Sequence, residues 1–333
     1  MGKVSRRVLG ISPEETSFAR RGFRCDSDTV RERLEDVGRC FVLGYLLALE
    51  IDGAEALASR LDAEVAHELR GFAYEGAGMA LSLLDFLAPW RRGRLQRLLA
   101  GPGWPHVYIV HIGAGWALAR LPVPVHRLLA GLDPLLCWLA LDGYGFHQGF
   151  FHWQQAVLGQ LVPRRLTGYA RRAFDQGVGR SLWFVEGADP ARIAADVGAF
   201  PAARRPDLWA GVGLACCYAG GVDRATLAAL RLAAGPARPA LAQGVAFAAK
   251  ARLWGGNPTA DTALACAVVC GGSVEATAAV TDRSVPAGVT LPTAQPASLP
   301  PRGSFGAGGP GVPPFEIWRQ RIQQCFSSDG AAT

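Results

Sequence analysis

The chain has 333 residues, 50% apolar and 19% charged, with a net charge of +6 and a mean hydropathy of +0.16. This composition excludes a disordered or fibrous chain. No uninterrupted apolar run reaches the about 18 residues of a membrane span: the stretch from Phe41 ends at Glu50, Leu135 to Leu141 ends at Asp142, and Leu208 to Val222 is too short. A soluble protein without a transmembrane segment is expected, built as two domains or one repeat array.

The 34 basic residues include only two lysines, Lys3 and Lys250. With the abundant Ala and Gly, this bias fits GC-rich codon usage better than selection for a polyanion. The arginine clusters (Arg91, Arg92, Arg94, Arg97; Arg164, Arg165, Arg171, Arg172; Arg204, Arg205) lack interleaved aromatics. They read as solvated helix faces, and no nucleic-acid partner is expected. Eight cysteines without a C-x-x-C pair or zinc spacing fit a reduced, cytoplasmic compartment. Arg6-Arg7 resembles a twin-arginine signal, but Ser12-Pro13-Glu14-Glu15 replaces the apolar region such a signal needs. Those four residues read instead as a capping box opening a helix.

From Gly76 onward one phrase recurs, Gly-x-Gly followed by a small residue. Copies stand at Gly76/Gly78, Gly113/Gly115, Gly143/Gly145, Gly177/Gly179 and Gly211/Gly213, with a weaker sixth at Gly244/Ala246. The first glycines are 37, 30, 34, 34 and 33 residues apart, the period of helix-turn-helix arrays. Four positions after each first glycine stand Ala80, Ala117, His147, Ser181, Ala215 and Ala248, so the small residues share a helical face. Three positions after it stand Met79, Trp116, Phe146, Arg180, Leu214 and Phe247, which supply knobs beside that groove.

Second helices between the phrases start at Asp133-Pro134, Asp189-Pro190, Asp223, and Thr259 or Asp261, each an N-cap signature. The expectation is an all-α helical-repeat array, an α-α superhelix of about six helix-turn-helix units over residues 1–282. Residues 283–314 read as a Pro/Gly-rich disordered linker. Residues 315–333 form a C-terminal amphipathic helix and tail, with Trp318, Ile322 and Phe326 on one side. That helix either docks back on the array or engages a partner.

The chain carries no H-E-x-x-H, G-x-S-x-G, P-loop or acidic D-D-x-x-D phrase. The informative places are those where the repeat breaks its own rule. His147 takes a small-residue position inside the most aromatic stretch, Leu141 to Trp153. The next copy brings Asp175, Arg180 and Ser181. His147 and Asp175 are the catalytic candidates, a base and its orienting carboxylate. Asp142, Tyr144, Phe146, Phe150, Phe151, His152, Arg180 and Trp183 are the ligand-binding candidates around an extended apolar or conjugated ligand. The alternative is a satisfied buried histidine and an Asp175 paired one turn back to Arg171. No metal is expected, since His147/His152 and His106/His111 lie about 140° apart on a helix. Glu75, Asp142, Gln176 and Gln243 each precede a first glycine and could form a polar stripe. Cys216, Cys217, Cys266 and Cys270 read as core.

Three stretches stand out together: Glu68 to Gly76, Leu141 to His152, and Arg172 to Gly187. With Arg6 to Ile11 and Trp318 to Ile322, they resemble a bacterial domain-of-unknown-function family found in enediyne biosynthesis cassettes. The similarity covers residues 1–282 and the last helix. The resemblance implies a gene neighbourhood of an iterative polyketide synthase, a thioesterase, a membrane partner of electron-transport type and a repeat-containing oxidative partner. It also implies a task, helping to turn a linear conjugated polyene into the enediyne core by desaturation or cyclisation, and a position peripheral to the inner membrane through that partner. It carries no catalytic residues over and leaves the cofactor unknown. The competing expectation is a non-catalytic scaffold that assembles the other cassette proteins.

Overall fold

Small residues spaced one turn apart let helices approach closely, and the chain uses this repeatedly. The computed structural model describes residues 7–91, 93–291 and 311–327. After one short turn of helix at Phe18–Arg21, its α-helices are α1 (Asp28–Glu50), α2 (Ala54–Glu64), α3 (Arg70–Leu87), α4 (Arg94–Ala100), α5 (Val107–Arg120), α6 (Val125–Leu129), α7 (Trp138–Phe151) and α8 (Tyr169–Val185). They continue as α9 (Pro190–Ala199), α10 (Arg205–Tyr218), α11 (Arg224–Ala233), α12 (Arg238–Trp254), α13 (Ala260–Ala265), α14 (Val274–Arg283) and α15 (Pro314–Cys325). The fold is an all-α array, with no strand among the described residues. The long helices α1, α3, α5, α7, α8, α10, α12 and α14 pack against one another in that order.

All six glycine phrases lie on these long helices. The first glycine meets the preceding long helix, and in the five Gly-x-Gly copies the second meets the next. A Cβ on Gly113 would stand 2.0 Å from the Glu75 carbonyl oxygen, and one on Gly115 would stand 1.6 Å from that of Ala140. Each glycine costs its helix about 1 kcal/mol against Ala. Backbone-to-backbone packing that no side chain would permit offsets that cost. In α1, Gly44 makes the same contact with the Ala73 carbonyl, 1.9 Å from a Cβ position. The phrase does not flag this first member, because Val42 stands where its first glycine would be.

The expected caps at Asp189, Asp223 and Thr259 are present on α9, α11 and α13. Two others differ. Ser12 caps only one 3-10 turn, Pro13–Thr16, because Ser17 starts a new turn at once. Asp133 accepts from the backbone N–H groups of Leu135 and Leu136, both at 2.9 Å, but the turn it caps runs into the long helix α7 and forms no separate second helix.

Of the expected linker, 292–310 lies outside the described residues. Arg283 still belongs to α14, and Leu291 is buried. Helix α15 packs on α12 and α14. Trp318 is fully buried and donates to the Thr281 carbonyl at 2.7 Å. Arg319, also fully buried, meets Asp207 at 2.9 Å and Glu316 at 3.2 Å. Several arginines expected on solvated faces have structural partners instead: Arg172 bridges Asp207 and Glu316, Arg94 meets Asp85, and Arg204 meets Asp175.

The array also touches itself across its interior. Arg252 of α12 donates to the carbonyls of Glu68 and Tyr218, and Asn257 donates to the His67 carbonyl at 3.0 Å. The N-terminal segment crosses to α8, where the Arg24 N–H donates to the Val185 carbonyl at 2.9 Å. No single described helix is long and apolar enough to cross a membrane. One bent pair, Ala260–Cys270 with Val274–Arg283, meets the length and composition at a 64° break.

Candidate functional site

The large-residue column of the repeat points into the interior. Trp116, Phe146, Arg180 and Leu214, from four successive long helices, all line one cavity of about 40 Å³. Phe41 of α1, Phe72 of α3, Phe150 and Phe151 of α7, Phe184 of α8 and Tyr218 of α10 complete an aromatic wall, and Ile11 and Thr16 close one side. Phe41 stacks on Trp116 with ring centroids 4.1 Å apart. A second void of about 10 Å³ shares Leu214 and Tyr218 and reaches Phe247 and Trp318. A roomier cleft of about 420 Å³ lies beside α4 and α6. Of its polar side chains, Asp85 accepts from the N–H groups that open α4 and Gln96 donates to the Gly131 carbonyl, and the cleft gathers no aromatic rings from the long helices beyond Phe86. The aromatic cavity is therefore the candidate site.

One charged cluster stands at its edge. Arg180 donates to Asp142 Oδ1 at 2.6 Å and more distantly to Glu75 Oε1 at 3.4 Å. Trp116 donates its indole N–H to Glu75 Oε1 at 3.1 Å, and Gln176 Nε2 donates to Asp142 Oδ2 at 2.8 Å. The Arg180 guanidinium also lies 4.6 Å from the Phe146 ring centroid. All are buried. Buried charges need partners, and here one cation serves two carboxyl groups. Burial pushes the Glu75 carboxyl above the ordinary carboxylate range; Arg180 opposes the rise and Asp142 adds to it. Burial alone would lower Arg180, but Asp142 and Glu75 outweigh it and hold the guanidinium charged. Tyr218 is pushed up to about 12 by burial, and its hydroxyl has no hydrogen-bond partner among the described residues.

The structure does not bring His147 and Asp175 together. His147 sits behind the wall, its ring 4.8 Å from Phe151 and 5.5 Å from Trp116, and its Nδ1 is buried without a partner. Burial, with the charges of His152 and Arg120, pulls its imidazole down to about 3, which makes a weak base at neutral pH. Asp175 forms a two-pronged pair with Arg204, at 2.7 and 2.8 Å, where α10 begins. That pair replaces both the expected dyad and the alternative partner Arg171.

Of the ligand-binding candidates, Phe146, Phe150, Phe151 and Arg180 line the cavity, and Asp142 holds Arg180. Tyr144 packs away from it on Phe174 and Arg165. Trp183 donates to the Gly220 carbonyl at 3.2 Å, and His152 is exposed. The polar stripe is realised in part: Glu75, Asp142 and Gln176 converge, whereas Gln243 accepts from Arg319 at 3.1 Å. Phe41, Phe72, Trp116, Phe184 and Tyr218 were not among the expected residues. For Trp116 the signal existed, since it shares the column of Phe146 and Arg180. Cys216, Cys217 and Cys266 are buried in the core, and Cys270 is half-buried. Among the described residues, no three His, Cys, Asp or Glu side chains are grouped to hold a metal ion.

No curated protein and no solved structure matches the chain. The model of a family described as "Protein of unknown function (DUF1702)" matches residues 1–326. With nearly the whole sequence inside that match, and with both the repeated helices and the cavity they enclose, the chain belongs to the DUF1702 family.

Proposed function

We propose that the protein binds a linear conjugated polyene, the product of an iterative polyketide synthase, in the aromatic cavity and assists its conversion to an enediyne core. It would act beside the other cassette proteins, a membrane partner among them, from the cytoplasm and peripheral to the inner membrane. One observation carries this reading. The three stretches that resemble the enediyne-cassette family supply Phe72, Phe146, Phe150, Phe151 and Phe184, five of the aromatic rings of the cavity wall, and all of the charged cluster at its edge, Glu75, Asp142, Gln176 and Arg180. A flat, apolar, polarisable chain is complementary to aromatic faces from several helices.

A cavity of about 40 Å³ holds on the order of one or two waters, so a polyene enters only if the wall yields. Ile11 and Thr16 belong to a wall segment that precedes the long helices. The scaffold alternative would use the terminal helix as its hook for partners, and the burial of Trp318 and Arg319 in cis weighs against it.

The test is titration of the purified protein with the linear heptaene, following the resolved polyene absorption bands, for wild type, Ala215→Phe and Leu214→Trp. Saturable binding that is lost when either side chain fills the cavity supports the reading. Absence of binding by folded wild type overturns it and favours the scaffold.

A further inference from the structure

Two carboxyl groups share one guanidinium in a site walled by aromatic rings, and the sharing is unequal. Asp142 takes the short contact from Arg180, 2.6 Å, and a second hydrogen bond from Gln176. Glu75 keeps only the 3.4 Å contact and the Trp116 indole, both on Oε1. Its Oε2 has no hydrogen-bond partner among the described residues. Glu75 itself lines the cavity. With both carboxyls ionised, the cluster would carry a net negative charge inside a low-dielectric aromatic wall, which is costly. Retaining one proton removes that charge, and the group with the weaker cation contact is the one to hold it. The other groups facing Glu75 do not change this balance: Tyr218 of α10 is a neutral phenol, Trp116 of α5 donates only a neutral N–H, and α1 lines the cavity with Val37, Gly38, Phe41 and Val42.

We propose that Glu75 is a protonated carboxylic acid that exchanges a proton with a conjugated polyene in the cavity, which makes it the catalytic acid and base of a double-bond shift or ring closure. This rests on the polyene reading above. In the forward step the Glu75 O–H bond breaks, and its proton forms a C–H bond at a terminal diene carbon with the electron pair of that C=C bond. Positive charge spreads over the remaining conjugated carbons, against the faces of Trp116, Phe146 and Phe150. The new Glu75 carboxylate is then held by Arg180, which no longer has a neutral partner there. Loss of a proton from a different carbon to Glu75 restores the acid and leaves a polyene of the same formula with moved or ring-closed bonds. No oxidant or reductant is consumed.

Two measurements test this. The first needs no ligand: infrared difference spectra at pH 7 of wild type against Glu75→Gln should show the carbonyl stretch of one protonated carboxylic acid, shifted in D₂O and missing in the variant. Asp142→Asn is a second variant that keeps the test valid if Glu75→Gln does not fold. Removing the competing charge lets Glu75 ionise against Arg180, and the band should disappear there too. The second is incubation of the heptaene with the protein in D₂O and mass analysis of the recovered polyene. Deuterium should enter its C–H positions with wild type and fall by on the order of 100-fold with Glu75→Gln, while the titration still shows binding. A folded wild type without the carboxylic band overturns the proposal. Binding without deuterium uptake overturns it and leaves the ligand reading standing. No heptaene binding at all overturns the ligand reading, and with it the assigned substrate.

Discussion

Glu75 and Gly113 meet at the backbone: the Glu75 carbonyl oxygen lies 2.0 Å from where a Cβ on Gly113 would stand. The residue that presents a carboxyl to the cavity is thus fixed by its own main chain against the next helix. Main-chain contacts of this kind do not rotate away as side chains do, so the glycines of the repeat set the geometry of the site as well as the packing of the array.

Gly143→Ala is expected to destabilise the protein by about 3 kcal/mol or more, because its Cβ would lie 1.9 Å from the Ile112 carbonyl oxygen and backbone cannot step aside. Gly198→Ala, on the outer helix α9 with open space around the added methyl, should instead stabilise by about 0.5–1 kcal/mol. Urea unfolding of the two variants against wild type checks both signs.

Arg319→Met should cost about 3–5 kcal/mol, the size expected when one partner leaves a buried ionic cluster, since Asp207 and Glu316 are then left to share the partly exposed Arg172 alone. Trp318→Ala should cost a similar amount through the cavity it leaves. Denaturant midpoints measure these losses. A change below 1 kcal/mol in either would mean that α15 is not held as described.

Asp175→Asn should lower stability by about 1–3 kcal/mol, since Arg204 loses a charged acceptor pair, and leave the heptaene titration unchanged, because Asp175 does not line the cavity. Weakened binding with unaltered stability would restore Asp175 to the site.

The contribution of two buried histidines to stability should fall as pH drops below the ordinary histidine value of 6.5. Burial holds His106 down to about 4, helped by Arg252, and His147 down to about 3. The unfolded chain therefore takes up these protons first as pH falls. Both contributions are fully present above 6.5 and are lost through the window down to about 4 and 3. Each contributes a slope of up to about 1.4 kcal/mol per pH unit. Unfolding free energies at pH 7, 6 and 5 for wild type, His106→Phe and His147→Phe should show a shallower fall in each variant.

The repeat made the array legible, because the small residues that permit close helix contact must recur at fixed spacing. The aromatic column was legible as well, although its role as knobs did not reveal that it faces inward. Whether Trp116, Phe146 and Arg180 converge depends on the curvature of the array, which accumulates from small rotations between units. The His147–Asp175 pair failed for the same reason. Residues on adjacent helices share a site only if they lie on the same side of both, and Asp175 faces the start of α10. Glu75, read as part of a stripe, needed Arg180 from across the interior to become a site.

The bridge from Arg252 back to Glu68 closes a loop of 184 residues. Repeat arrays whose units touch only their neighbours can nucleate anywhere and tolerate truncation; an array that is bolted shut across its middle cannot. During synthesis the contacts of Arg252 with Glu68 and Tyr218 cannot form until the chain has passed residue 252. Contacts of such long sequence separation make closure a late and slow event. Removing units from either end should then leave a remnant that collapses or aggregates, where an open solenoid would leave a shorter but sound one.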